Sequence, residues 1–155
     1  MNDMIARNDL LSRVGERLAE IFPRSKSFVV DSGDDSLTID LLPEEGSGKE
    51  WKGFTVTLYP KRSDRGIWPA IISRPVARLL FHDQRKIPRA IRAIAQRARP
   101  SLSWTYQPSW RLGPTILGKR PINPRASEEA LLQMTIQAVR ESERMIQRFS
   151  ALLRR

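Results

Sequence analysis

The sequence of 155 residues contains no cysteine and only one histidine, His82. The absence of cysteine excludes disulfides, thiolate nucleophiles and every zinc site that uses cysteine ligands. A single histidine excludes metal sites built from several imidazoles and leaves histidine-dependent catalysis with one candidate. No apolar run approaches the roughly 18 residues that a membrane-spanning helix needs. We therefore expect no cofactor and no insertion into a membrane.

Two sequence signals are also missing. The 8 glycines are scattered and fit none of the spacings of glycine-rich phosphate loops. The first four residues, Met1-Asn2-Asp3-Met4, do not form the basic start of a secretion signal. The hydrophobic fraction of 40% is sufficient for a core. We predict a single α+β domain over residues 1–155 in the cytoplasm, with a body over 1–125 and a long C-terminal helix over 126–155.

Acidic residues are scarce in the middle of the chain. Residues 60–125 contain 15 lysines and arginines but only 2 acids, Asp64 and Asp83, which gives a net charge of +13. Residues 1–59 carry a net charge of −4 and residues 126–155 a net charge of +1, so this block accounts for the overall +10. A basic block of this kind attracts polyanions with a strength that falls as salt rises. Nucleic acid or an acidic protein is therefore the expected partner.

Hydrophobic periodicity predicts a helix followed by a sheet in the first half of the chain. Apolar residues recur at helical spacing over residues 4–22, and Pro23 ends that run. Alternation of apolar and polar residues then predicts antiparallel strands with one solvated face. These strands are predicted at residues 28–30, 37–41, 54–59 and 67–73.

The second half of the chain predicts two more helices and two more strands. A short basic helix is expected over residues 88–98 with Pro88 as its first residue. Strands are expected at 101–106 and 110–117, followed by a stiff linker over 119–125. A final helix over 128–153 is capped by Ser127. The sequence thus predicts an antiparallel sheet of four to six strands, flanked by these helices and by the N-terminal helix.

The basic helix is the centre of a candidate polyanion-binding surface within residues 61–125. Arg89, Arg92, Gln96 and Arg99 are spaced by three or four residues, so they share one helix face. Arginine suits this role because its planar fork matches the oxygens of a phosphate. An ordinary solvated helix face is the alternative. The candidate residues are Arg74, Arg78, Arg85, Lys86, Arg89, Arg92, Arg99, Trp110, Arg111, Lys119 and Arg120.

An aromatic cluster follows the basic helix. Trp104 and Tyr106 alternate with small polar residues, and Trp110 stands next to Arg111. Aromatic side chains beside basic ones stack on the bases of single-stranded nucleic acid. The same alternation is also that of a strand whose apolar side faces the core. We expect Trp104 and Tyr106 to face the core and Trp110 to be the exposed aromatic residue.

One hypothesis for catalysis comes from acidic residues near the second and third strands. Asp40, Glu50 and Lys52 resemble the acid and acid-x-Lys pattern of metal-dependent nucleases of the PD-(D/E)xK class. That resemblance implies two carboxylates holding Mg²⁺ and a lysine assisting the attacking water. Glu50 and Lys52 precede the alternating part of their strand, and no Pro-Asp pair precedes them. We therefore predict a protein that is not an enzyme and keep the nuclease as the third hypothesis.

The second hypothesis comes from the order of the elements. A helix, a run of strands, a helix, two strands and a helix is similar to the order in class I type III secretion chaperones. The resemblance implies a homodimer that binds an unfolded stretch of a partner protein. The apolar positions of the last helix, from Met145 to Leu153, favour a dimer through that helix. The function predicted first is a homodimeric interaction module that binds nucleic acid or another polyanion, and a protein-binding adaptor of this kind is the alternative.

Overall fold

The computed structural model describes residues 2–23, 25–30, 35–41, 51–60, 69–77, 86–98, 101–107 and 115–153. Three helices and six strands lie within these ranges, so the protein has the predicted α+β fold. In chain order they are α1 (Asn2–Ile21), β1 (Ser25–Val30), β2 (Ser36–Leu41), β3 (Trp51–Tyr59), β4 (Ala70–Ala77), α2 (Lys86–Ala98), β5 (Ser103–Gln107), β6 (Thr115–Pro121) and α3 (Glu128–Leu153).

All six strands form one antiparallel sheet in the order β1-β2-β3-β4-β6-β5. The first four strands are neighbours in sequence and in space. The chain then passes through α2 to the far edge, where β5 forms, and β6 returns between β5 and β4. The edges of the sheet are therefore β1 and β5.

The two faces of the sheet differ because side chains alternate along each strand. Leu37, Ile39 and Leu41 of β2 are buried, whereas Thr38 and Asp40 between them are half-buried. The three helices cover the face that bears the buried leucine and isoleucine side chains. We call the opposite side the open face of the sheet.

The helices pack on the sheet through one continuous core. The helix α1 contacts β1 and β2, the helix α3 contacts β3 and β4, and the helix α2 contacts β5 and α3. In α1 the buried residues follow helical spacing, at Leu11, Val14 and Leu18. Ile91 of α2 and Leu131 of α3 belong to the same core cluster. The three helices therefore lie on the same side of the sheet, and so do the side chains on their outer faces.

The helix α3 begins as its sequence predicts. The Oγ of Ser127 accepts a hydrogen bond from the N–H of Ala130 at 3.2 Å, and its carbonyl accepts one from the N–H of Leu131 at 2.9 Å. Glu128 and Glu129 occupy the first turn, where negative charge complements the helix dipole. The predicted bounds 128–153 are therefore confirmed.

Several other boundaries differ from those that the sequence predicts, and β1 and β3 each begin three residues earlier than predicted. The strand β4 extends to Ala77 rather than ending at 73, because its pairing with β3 continues from Ala70 to Ala77, and Pro75 lies beyond the shorter ladder with β6. Residues 67 and 68 of the predicted strand lie outside the described residues. Residues 119–121 belong to β6 and not to a linker, because Lys119 pairs with Ile72 of β4. The helix α2 begins at Lys86, so Pro88 is its third residue. A proline within the first turn removes no intrahelical hydrogen bond, since those N–H groups have no partner in the helix.

Candidate polyanion-binding surface

The described candidate residues are distributed over two sides of the molecule. Arg74 and Lys119 belong to the open face, because they alternate with Ser73 and Gly118, which pair across β4 and β6 on the helix side. Arg120 lies on the helix side of β6, and three candidates lie on α2. The remaining candidates are outside the described residues: Arg78, Arg85, Arg99, Trp110 and Arg111.

The helix α2 exposes arginine on the side opposite to its core contact. Arg89 and Arg92 are exposed, as is Gln96, whereas Ile91 is buried. No acidic residue occurs in this helix, and Lys86 stands in its first turn. Positive side chains at the N-terminal end of a helix are unfavourable for its dipole. The charge pattern of α2 therefore does not stabilise this helix through its dipole.

The helix α3 adds three arginines that the sequence analysis did not single out. Arg140, Arg144 and Arg148 are separated by four residues each and are all exposed. At a rise of about 1.5 Å per residue they form a stripe roughly 12 Å long. Like charges at this spacing disfavour a helix slightly. The four-residue spacing of these arginines is visible in the sequence. The net charge of +1 over residues 126–155 gives no indication of it.

Arg120 connects the predicted basic block with this stripe. Its Nη1 donates a hydrogen bond to Oε1 of Gln137 at 3.2 Å. Gln137 is exposed and precedes Arg140 by three residues and Arg144 by seven, so all three lie on one side of α3. We define the helical basic surface as Arg89, Arg92, Arg120, Arg140, Arg144 and Arg148.

Two acids of α3 lie beside this stripe: Glu141, which is buried, and Glu143, which is half-buried. Glu141 is only 8% exposed, and its carboxylate accepts four hydrogen bonds. Its Oε2 accepts from the N–H and the hydroxyl of Ser101, and its Oε1 accepts from the N–H of Leu102 at 3.0 Å and Nε1 of Trp104 at 3.4 Å. A buried carboxylate needs such donors to offset its lost hydration. Glu141 therefore fixes the start of β5 and contributes no charge to the outer surface.

The two acids at the start of α3 are neutralised by α1. Oε2 of Glu128 lies 3.4 Å from Nε of Arg13, and Oε2 of Glu129 lies 2.9 Å from Nη1 of Arg17. The hydrogen bond from Arg17, the hydrogen bond from Gln133 and the charge of Arg17 lower the pKa of Glu129. Positive and negative charges are therefore balanced where α3 begins. The excess of arginine lies in the C-terminal part of α3.

The aromatic residues of β5 face the core, as predicted. Trp104 is buried, and Tyr106 is half-buried and packs against the core cluster. The indole of Trp104 lies directly on Gly118 of β6, where an added Cβ would stand 2.9 Å from Cε2 and Cζ2 of the ring. Trp104 is therefore a structural residue and is not available for stacking on bases.

The candidate nuclease residues are described only in part. Asp40 is half-buried on the open face, opposite Lys26 of β1 and Thr55 of β3. Glu50 lies outside the described residues, and Lys52 belongs to β3 without a described side chain. His82 is also outside the described part of the chain. Where side chains are described, no three His, Asp or Glu residues come together as a group that could hold a metal ion.

None of the helices in the described ranges combines the length and the apolarity that crossing a bilayer requires. Comparison of the chain with known proteins gives no matching family model, no matching curated protein and no matching solved structure. The function must therefore be inferred from the placement of the chain's own side chains.

Proposed function

We propose that the protein is a non-enzymatic module that binds nucleic acid through phosphates at the helical basic surface. The supporting observation is the separation of charge on the helical layer. Arg140, Arg144 and Arg148 are exposed, whereas Glu141 is buried and Glu143 is half-buried. Burial of Glu141 makes the surface charge of this part of α3 more positive than its sequence composition.

Phosphate is the chemical group that this surface fits best. Exposed guanidinium groups form charge-assisted, bidentate hydrogen bonds with phosphate oxygens. A stripe of about 12 Å extends over several phosphates of a nucleic acid, which carries one charge per roughly 3.4 Å of each strand. Contacts of this type position a protein on a duplex but carry no sequence information. We therefore expect binding that depends strongly on salt and weakly on sequence.

An acidic protein partner is the competing interpretation of the same arginines, and the element order supports the chaperone-like adaptor. Binding of a uniformly charged duplex does not depend on the exact spacing of the arginines. Binding of an acidic protein requires a surface whose shape and charges match that protein. The homodimer through α3 and the cytoplasmic location stay predictions of the sequence.

The test compares two variants that change the formal charge equally on the same helical layer. Arg140→Gln/Arg144→Gln removes two exposed arginines of the helical basic surface, whereas Arg13→Gln/Arg17→Gln removes two that are paired with glutamates. Fluorescence anisotropy with a labelled 20-base-pair duplex near 50 mM salt measures the affinity. The proposal predicts a loss of about tenfold or more for the first variant and less than about threefold for the second.

Equal losses for the two variants would mean that only net charge matters and would contradict a localised surface. Absence of duplex binding by the unmodified protein at low salt would overturn the proposal altogether. Thermal unfolding of both variants is the accompanying control. All four arginines are exposed, so the unfolding temperature should change little.

A further inference from the structure

The open face of the sheet carries a second group of basic residues, separate from the helical basic surface. Lys119 of β6 pairs with Ile72 of β4 on one side and with Ser103 of β5 on the other. Residues that pair directly across an antiparallel sheet share a face. Arg74 follows Ile72 by two residues, so it lies on the same face as Lys119. The two residues are diagonal neighbours, whose Cα atoms are about 7–8 Å apart.

Exposed polar side chains lie beside this pair, whereas Ile72 between Arg74 and Lys119 is buried. Arg74, Lys119, Ser103 and Thr105 are all exposed, and Thr105 is two residues beyond Ser103 on the same face of β5. Hydroxyl groups beside cations are common ligands of phosphate and sugar oxygens. We call these four residues the open-face patch.

Charged residues are distributed unevenly over the open face. Asp40 is the one acid among the residues of the six strands, and it lies on β2, opposite Lys26 of β1. The β1–β2 side of the face is therefore balanced, whereas Arg74 and Lys119 lie on the β4–β6 side without an acid on the strands next to them. Charge complementarity thus favours an anionic ligand at the open-face patch.

An aromatic residue lies on the same face. Tyr59 of β3 pairs with Ala70 of β4, which pairs with Pro121 of β6, two residues beyond Lys119. Tyr59 is half-buried and Pro121 is exposed. Two strand spacings, about 10 Å, separate Tyr59 from Pro121. A ring on a sheet near basic residues is the arrangement on which unpaired bases stack.

We infer that the open-face patch and Tyr59 bind single-stranded nucleic acid. The cations and hydroxyls contact the sugar-phosphate chain, and the phenol ring stacks on one base. A duplex hides its base faces within its own stack, so this combination selects a single strand. The inference concerns a surface on the opposite side of the sheet from the helical basic surface and does not depend on it.

Anisotropy with labelled 15-nucleotide single strands of DNA and of RNA, beside a duplex, tests this inference. Arg74→Gln/Lys119→Gln should weaken single-strand binding by about tenfold and reduce the salt slope by about 1.4, while duplex affinity changes less than about twofold. Loss on either DNA or RNA supports the inference, and the tighter of the two affinities of the unmodified protein identifies the preferred sugar.

Lys26→Gln is the matched control, because Lys26 is also an exposed lysine of a strand that pairs on this face. Lys119→Gln should weaken single-strand binding at least about threefold more than Lys26→Gln does. Equal effects would overturn the inference, because they would show attraction by net charge alone. Tyr59→Phe should retain the affinity and Tyr59→Ala should reduce it about tenfold, since stacking needs only the ring.

The outcomes separate this inference from the proposed function. If Arg140→Gln/Arg144→Gln weakens both ligands and Arg74→Gln/Lys119→Gln weakens neither, the open-face patch is not a binding site and the helical basic surface is. If only the open-face variant weakens single-strand binding and the α3 variant changes nothing, the inference stands and the proposed function fails.

Discussion

The carboxylate of Glu141 accepts a hydrogen bond from Nε1 of Trp104 across 3.4 Å. This contact joins α3 to β5 and fixes which side of α3 faces the sheet. Arg140 precedes Glu141 and Arg144 lies three residues beyond it, and both arginine side chains are exposed. Glu141 therefore anchors α3 to the sheet, and its own negative charge is removed from the exposed surface of the helix.

Glu141→Gln should destabilise the protein by about 2–4 kcal/mol. The substitution replaces one acceptor oxygen by an NH₂ group that must face the donors of Ser101, Leu102 or Trp104. Urea unfolding, followed by tryptophan fluorescence, measures the free energy of unfolding. Glu129→Gln on the same helix is the control, because Glu129 belongs to an exposed ion pair and its substitution should cost much less than that of Glu141. Similar values for both variants would contradict the structural role of Glu141.

Gly118→Ala should destabilise the protein by about 1–3 kcal/mol through overpacking. The new methyl group would stand 2.9 Å from two carbon atoms of the Trp104 indole, a rigid ring inside the core. The measurement is the midpoint of urea unfolding. If the clash is the cause, the cost of Gly118→Ala should shrink in a Trp104→Leu background, which removes the ring. An unchanged cost in that background would contradict this explanation.

The buried hydroxyl groups of Ser73 and Ser142 predict that alanine at the two positions destabilises the fold by unequal amounts. The Oγ of Ser142 lies 2.6 Å from the carbonyl oxygen of Ala138 and 2.6 Å from Oγ of Ser73. The single proton of Ser142 goes to the carbonyl, so Ser73 donates to Ser142. Ser142→Ala leaves a buried donor on Ser73 without that acceptor, whereas Ser73→Ala leaves the bond to Ala138 in place.

The expected cost of Ser142→Ala is consequently larger, by about 1 kcal/mol, than that of Ser73→Ala. The double substitution should cost less than the sum of the single ones, because no orphaned hydroxyl remains. Free energies of unfolding for the three variants measure this coupling. Strict additivity would mean that the two hydroxyls do not interact.

The ion pair between Arg17 and Glu129 predicts a titration that depends on Arg17. The hydrogen bond from Arg17 is the main cause of the lowered pKa of Glu129, and Gln133 adds a second hydrogen bond. Because the folded-state pKa lies below the unfolded value, the pair stabilises the fold above the unfolded pKa. That contribution is lost as the pH falls through the folded pKa. In Arg17→Gln the pKa of Glu129 should rise towards its ordinary value, as NMR titration of the side-chain carboxyl can measure. A pKa that stays low would assign the effect to Gln133.

The sequence predicted most of the fold because the signals were local. Ser127 and the two glutamates after it marked the start of α3, and the alternation in β2 marked its buried side. The prediction was wrong where distant pairing decides the outcome. Proline at position 121 indicated a linker, whereas pairing of Lys119 with Ile72 extends β6 to that proline.

The candidate surface was only partly predictable for the same reason. The exposed face of α2 followed from the spacing of Arg89 and Arg92. The stripe on α3 did not follow from counting charges, because burial of Glu141 depends on Ser101 and Trp104, about 40 residues earlier in the chain. The division of Arg74, Lys119 and Arg120 between two faces likewise required the register of β4 and β6.

The salt dependence of duplex binding tests the proposed function most directly. Anisotropy of a labelled duplex, titrated from about 50 to 200 mM salt, gives the slope of log affinity against log salt. With several arginines on phosphates the slope should be steeper than about −2, and Arg140→Gln/Arg144→Gln should reduce its magnitude by about 1.8. A flat slope, or one that this variant leaves unchanged, would contradict phosphate binding at the helical basic surface.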